Sequence, residues 1–266
     1  MGLITKPLPG TPINWLHPDT RGLEACYIFN TGAGSQLWDY ANPFKNGNHG
    51  TINGATWKDG VLDFDGIDDG VIIPVMPSFV PPLTFSGWVN INIQADKDTI
   101  FANGRDSASG WAIRLDNDFG DKINFVKHLV AENQLDIGNF PTGWFHLVVA
   151  VNSNNQPSLY VDGVFKDSGA NTSAIITPAN DAAIGHNFAP GGSKQFFFDG
   201  KLDNIYLYNR ALSAAEIAWL YYEPYAMFER GFDVTKFFVP VADITPDMWH
   251  PKIEQQYPYK REVVNY

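Results

Sequence analysis

The densest group of potentially reactive side chains in this 266-residue sequence is Asp63, Asp65, Asp68 and Asp69, in Leu62-Asp-Phe-Asp-Gly-Ile-Asp-Asp69. Two carboxyl groups about 5 Å apart, or somewhat further, can hydrolyse a glycoside. Several oxygens on a flexible loop can hold a hard cation such as calcium. Asp65-Gly66 between apolar runs reads instead as a turn, where Asp bonds its own backbone; Asp68 and Asp69 stay as candidate metal ligands. The glutamates of the central region, Glu24, Glu132 and Glu216, are scattered. The six histidines form no i, i+4 pair, and His146, within Trp144-Phe-His-Leu-Val-Val149, reads as a strand residue. No Gly-x-Ser-x-Gly occurs, and Gly32-Ala-Gly34 lacks the strand–helix setting of a phosphate cradle. The single cysteine, Cys26, excludes an intramolecular disulfide and a thiolate cluster. It lies in the apolar run Ala25-Cys-Tyr-Ile-Phe29, where a buried thiol is expected. The expectation is a protein without catalytic residues, and without a cofactor unless calcium is one.

The elements that must position these groups are strands. Only 18% of the chain is charged, and it carries 24 Gly and 18 Pro. Short β-branched and aromatic runs recur: Val71-Ile-Ile73, Leu83-Thr-Phe-Ser-Gly-Trp-Val89, Trp111-Ala-Ile-Arg-Leu115, Trp144–Val151, Ser158-Leu-Tyr-Val161 and Ile205-Tyr-Leu-Tyr208. Turn dipeptides separate them, among them Asn46-Gly47, Asn53-Gly54, Asp59-Gly60, Asp65-Gly66 and Asp199-Gly200. Asp162-Gly163 predicts a two-residue hairpin. One helix is predicted, opened by Ser213 as N-cap with Glu216 three residues on. The fold class expected is all-β, a two-sheet antiparallel jelly-roll sandwich with one short helix near its C-terminal end.

The two ends differ from this body. Residues 1–22 hold Pro7, Pro9, Pro12 and Pro18, and read as an extended arm. Residues 223–266 form a tail rich in proline and aromatic residues. Residues 23–222 carry 11 Lys/Arg against 21 Asp/Glu, while the whole chain has a net charge of −11. That balance argues against nucleic acid or an anionic membrane as partner. The rings of Trp15, Phe228, Phe232, Phe237, Phe238, Trp249, Tyr257 and Tyr259 are expected to dock the ends on another polypeptide. No apolar run is long enough to span a bilayer, and the N-terminus has no signal-peptide pattern, so synthesis in the cytoplasm is expected.

Several motifs occur in a fixed order: Leu62–Asp69, Leu83–Val89, Trp144-Phe-His146, Leu159-Tyr-Val-Asp-Gly163, Ile184-Gly185 and Phe198-Asp-Gly-Lys-Leu-Asp203 with Tyr208-Asn-Arg-Ala-Leu-Ser213. Together they resemble the laminin-G-like (concanavalin A-like lectin/glucanase) jelly roll over residues 23–222. Gly70, Phe145 and Asn204 depart from the family's usual Tyr, His and Glu. The family's glucanases carry Glu-x-Asp-x-(x)-Glu on one strand, which is missing here. The resemblance implies a calcium or ligand site at the sheet rim, on the loops 103–109 and 186–194. It points to Asn103, Asp106, Ser109, Trp111, His186 and Asn187, with oxygens of Asp106 and Asn187 as candidate metal ligands. Trp38, Trp57 and Trp111 are candidate platforms for a glycan, which needs an aromatic face beside polar groups.

The arm, from Lys6-Pro-Leu-Pro-Gly10 to His17-Pro18, resembles proteins encoded by tailed bacteriophages. The leading functional expectation is therefore a non-enzymatic structural virion protein, such as a capsid decoration. Its partners would be other virion proteins and further copies of itself. The alternative is a carbohydrate-binding or adhesion module acting on surface glycans, such as a receptor-binding tip.

Overall fold

The computed structural model describes residues 5–42, 48–74, 76, 79–92, 98–105, 108–116, 121–178, 181–189 and 191–229. Chain contacts separate Met1–Glu229 from Arg230–Tyr266, and the latter segment lies outside the described residues. In chain order the strands are β1 (Leu23–Tyr27), β2 (Gln36–Leu37), β3 (Gly50–Asn53), β4 (Thr56–Lys58), β5 (Val61–Asp65) and β6 (Gly70–Ile73). They continue as β7 (Leu83–Ile91), β8 (Thr99–Arg105), β9 (Ser109–Asp116), β10 (Lys122–Lys127), β11 (Ala131–Asp136) and β12 (Trp144–Val151). The last are β13 (Pro157–Val161), β14 (Val164–Ser168), β15 (Ala182–Ile184), β16 (Asn187–Phe188), β17 (Lys194–Gln195) and β18 (Asp199–Tyr208), followed by helix α1 (Ala214–Tyr222).

The front sheet runs β14-β13-β12-β7-β18-β5-β4, with β1 also on β18, and the back sheet runs β11-β10-β9-β8-β15-β6-β3-β2. Period-two alternation explains their facing. On β7, Leu83, Phe85 and Val89 enter the core between the sheets, while Thr84, Ser86 and Trp88 face outward. Phe85, Phe101, Trp111 and Phe125 pass ring contacts across that core at centroid distances of 5.8, 5.4 and 5.9 Å. The hairpin between β13 and β14 has positive φ at both Asp162 (51°) and Gly163 (76°), the two-residue turn whose twist matches the strands. Asp199-Gly200, expected as a turn, instead starts β18: Gly200 pairs with both Phe64 and Ile91. A side chain at Gly200 would collide with the Asn90 carbonyl, so glycine permits close pairing there rather than a reversal.

A second apolar cluster lies on the outer face of the front sheet. Cys26, Val148, Tyr206 and Tyr208 are covered by Ile217 and Leu220 of α1, and by Ile13, Met227 and Phe228. Ser213 and Glu216 form a capping box at the start of α1, and Arg210 Nη1 donates to Glu216 Oε2 at 3.0 Å. That hydrogen bond holds the Glu216 carboxyl down at about 2. The arm closes the same cluster. Ile13 bridges Phe228, Asn14 N donates to Met227 O, and Glu229 N donates to Pro12 O. One expectation is corrected here: Phe228, read as a ring for another polypeptide, is buried in its own chain, against Ile13 of the arm, whereas Leu8, Trp15 and Leu16 stay exposed. The cause is the apolar outer face, which a helix of nine residues leaves partly uncovered.

Gly104 and Gly110 face each other across β8 and β9 with φ of 112° and 94°. A Cβ on Gly110 would overlap the Asn103 carbonyl oxygen. Gly110→Ala is expected to cost about 1–3 kcal/mol or more, measured as a lower urea midpoint with an unchanged slope.

Candidate functional site

Two adjacent cross-strand rows on the outer face of the front sheet build a cleft floor. In one, His146 of β12 pairs with Trp88 of β7, which pairs with Asp203 of β18. In the next, Trp144 pairs with Asn90, which pairs with Lys201. The ladder loses register between Asp203 and Tyr206, where one extra residue enters β18. Asn204, at φ 46°, lies in that bulge. The extra residue restores the alternation beyond it, so that Leu202, Ile205 and Leu207 all reach the core.

The cleft has a volume of about 510 Å³, and Trp88, Trp144, Tyr221 and Tyr225 line it together with Lys6, Asp59, Lys201, Asp203 and Asn204. Helix α1 supplies Tyr221, whose ring stacks on Trp88 at 5.7 Å and on His146 at 6.1 Å. His146 bonds the Ser86 hydroxyl at 2.8 Å, and its burial pushes the ring down to about 3. The neutral ring packs against the Trp88 indole at 5.5 Å. Trp144, at the start of β12, keeps 39% of its surface exposed.

The polar side of the cleft is held by the arm. Lys6 Nζ donates to Gly60 O at 2.7 Å, Phe29 O at 3.2 Å and Asp203 Oδ1 at 2.7 Å. The same carboxylate oxygen accepts from Asn204 N at 2.9 Å, whereas Oδ2 of Asp203 has no bond within the described chain. Burial pushes the Asp203 carboxyl up to about 7, against the pull of Lys6. Burial also lowers Lys6, so removal from water outweighs the mutual attraction at both partners. Asn204 donates to the Tyr225 hydroxyl at 2.7 Å, and its own Oδ1 is buried without a partner. An aromatic wall beside unpartnered oxygens can bind a ring with an apolar face and hydroxyl groups. Asp59 and Asp203 are the carboxylates among the described lining residues.

Of the residues read from the sequence as a rim site, those described are buried. Trp111 is fully buried among Phe101 and Phe125 and donates to Phe79 O, so it offers no surface for stacking. Asn103 and Ser109 sit in strands and are buried. His186 is buried against Phe188 and Phe197, and burial pushes its ring down to about 4. A side chain at Gly70 would strike this ring, which accounts for glycine there. Asn187 Oδ1 accepts from Phe188 N, an internal bond. Asp106 lies outside the described residues. Oxygens of Asp65, Asp68 and Asp69 lie within 4.8 Å of one another. Within the turn Asp65 Oδ1 accepts from Ile67 N, and Asp69 Oδ2 from Asp65 N. Trp15 and Trp38 are exposed and line a separate groove of about 550 Å³ beneath the arm. Trp57 is half-buried and donates to Gly34 O. Phe232, Phe237, Phe238, Trp249, Tyr257 and Tyr259 lie outside the described residues. Sequence reasoning missed Trp88, Trp144 and Tyr221; the outward positions of Trp88 and Trp144 in alternating strands were the available signal.

A family model described as the concanavalin A-like lectin/glucanases superfamily matches residues 65–218. Among solved structures, domain 4 of an extracellular arabinanase from Geobacillus stearothermophilus, in complex with arabinotriose, is similar at 24% identity and a TM-score of 0.60, covering 74% of this chain and 97% of that one. Trypanosoma rangeli sialidase is similar at 19% identity and a TM-score of 0.57, and the match covers 77% of this chain and 33% of the sialidase. The binding domain of botulinum neurotoxin serotype D/C is similar at 14% identity and a TM-score of 0.55, covering 76% of this chain and 52% of that one. These likenesses show the fold. No curated protein matches the chain.

Asp203 titrates from 3.8 in the unfolded chain to about 7 in the fold. The native state thus holds this proton more tightly, and its contribution to stability falls as pH rises from about 4 to about 7. His146 and His186, lowered by burial, act oppositely below 6.5, so the difference between two proteins isolates Asp203. The stability of the wild type minus that of Asp203→Asn is expected to fall across this window in urea titrations; parallel profiles would contradict the assignment.

Proposed function

Because the chain belongs to the concanavalin A-like lectin/glucanases superfamily, we propose that it is a saccharide-binding module that leaves its ligand chemically unchanged. The observation carrying this reading is the cross-strand placement of Trp88 and Trp144 beside Asp203 and Asn204. An indole face takes the apolar face of a sugar ring, while the neighbouring oxygens accept from its hydroxyls. The similarity to an arabinanase domain in complex with arabinotriose supports a sugar as ligand.

A second reading makes this body a bacteriophage virion component anchored by its ends. Exposed Leu8, Trp15 and Leu16 on the arm favour a protein contact there. On that reading, changing these three to Ser abolishes attachment to particles while leaving the body folded.

Trp144→Ala is expected to weaken saccharide binding about tenfold, or ~1.4 kcal/mol, in titration calorimetry with an array-identified oligosaccharide. Mass spectrometry of the same mixture is expected to show intact sugar. Unchanged affinity in Trp144→Ala, or released product, would overturn the proposal.

A further inference from the structure

The charges and hydrogen bonds around the cleft restrict which saccharide fits. Each proton of the Lys6 ammonium has an acceptor: Phe29 O, Gly60 O and Asp203 Oδ1. Lys6 therefore neutralises Asp203 without presenting a donor to a ligand. Lys201 and Asp59 add one charge of each sign to the lining, so the cleft as a whole is neutral. The surrounding body is acidic, with 11 basic against 21 acidic residues over 23–222.

Two acceptors at the floor lack a partner among the described residues, Asp203 Oδ2 and Asn204 Oδ1, the latter buried. A buried acceptor without a donor costs free energy that a ligand hydroxyl would recover. The carboxylate of an acidic sugar brings no proton to either oxygen.

Resting on the saccharide-binding reading of this cleft, we infer that it selects an uncharged oligosaccharide, adjacent hydroxyls of which donate to Asp203 Oδ2 and Asn204 Oδ1. Lys6 is the positioning residue for this selection. It reaches from the arm, 197 residues away in sequence, to fix the Asp203 carboxylate and balance its charge. The arm is then a wall of the binding site.

The test is binding of the full chain at pH 8 to an array carrying uncharged and acidic oligosaccharides, followed by calorimetry of the hits. The expected result is binding to uncharged sugars alone, with Kd changing less than twofold between 50 and 500 mM salt. Lys6→Met is expected to weaken that binding at least tenfold, and Asp59→Asn to admit galacturonate oligomers weakly by making the lining net positive. Where Lys6→Met fails to fold, Lys6→Met/Asp203→Asn removes both charges and is expected to fold and lose binding equally. Tighter binding of acidic sugars, lost in Trp144→Ala, would overturn the selectivity and leave the saccharide site standing. Wild-type affinity in a folded Lys6 variant would overturn the role of the arm. Binding of no sugar at all would overturn both this inference and the reading beneath it.

Discussion

The extra residue in β18 is the constraint on which the cleft depends. Leu202 and Ile205 both enter the core, yet strict alternation would send residues three apart to opposite faces. Inserting one residue between them reconciles the two, at the cost of a non-glycine residue at positive φ. The bulge puts consecutive polar side chains, Asp203 and Asn204, in the same cleft beside Trp88. A regular strand would have sent one of them into the core. Bulges re-aim side chains in this way at functional sites of many sheets.

Burial then decides what holds these groups. Asp203 is 9% exposed, and an isolated carboxylate in that position would be strongly disfavoured. Lys6 answers it, and the arm is kept in place by Ile13 on Phe228 and by backbone bonds to Met227 and Glu229. The apolar cluster on the outer face and the polar pair in the cleft are consequently linked through one extended segment. Helix α1 has the same double role: Ile217 and Leu220 seal the cluster, while Tyr221 stacks on Trp88.

Much of the scaffold was legible in the sequence. Leu83–Val89, Trp144–Val151 and Ile205–Tyr208 are strands because β-branched and aromatic residues suit a pleated, half-buried surface. Asp162-Gly163 and the Ser213–Glu216 box act locally, so tertiary context did not override them. The site was far less legible. The sequence alone does not reveal that Trp144, Asn90 and Lys201 form one row, because register arises from three separated segments. Trp111 and Trp144 look alike as strand residues, and only the sheet's facing makes one core and the other surface. Phe228 was misjudged for a related reason: together with Ile13 of the arm it covers the outer face of its own sheet, an apolar face that the strand pattern alone did not assign.

The sharpest test of a saccharide cleft on this outer face uses the indole N–H signals of the eight tryptophans in a 15N-labelled protein. Titrated with an uncharged oligosaccharide, Trp88 and Trp144 should shift together and saturate at one affinity, while Trp15, Trp38 and Trp111 stay in place. Saturable shifts confined to Trp15 and Trp38, with Trp88 and Trp144 unmoved, would contradict the account.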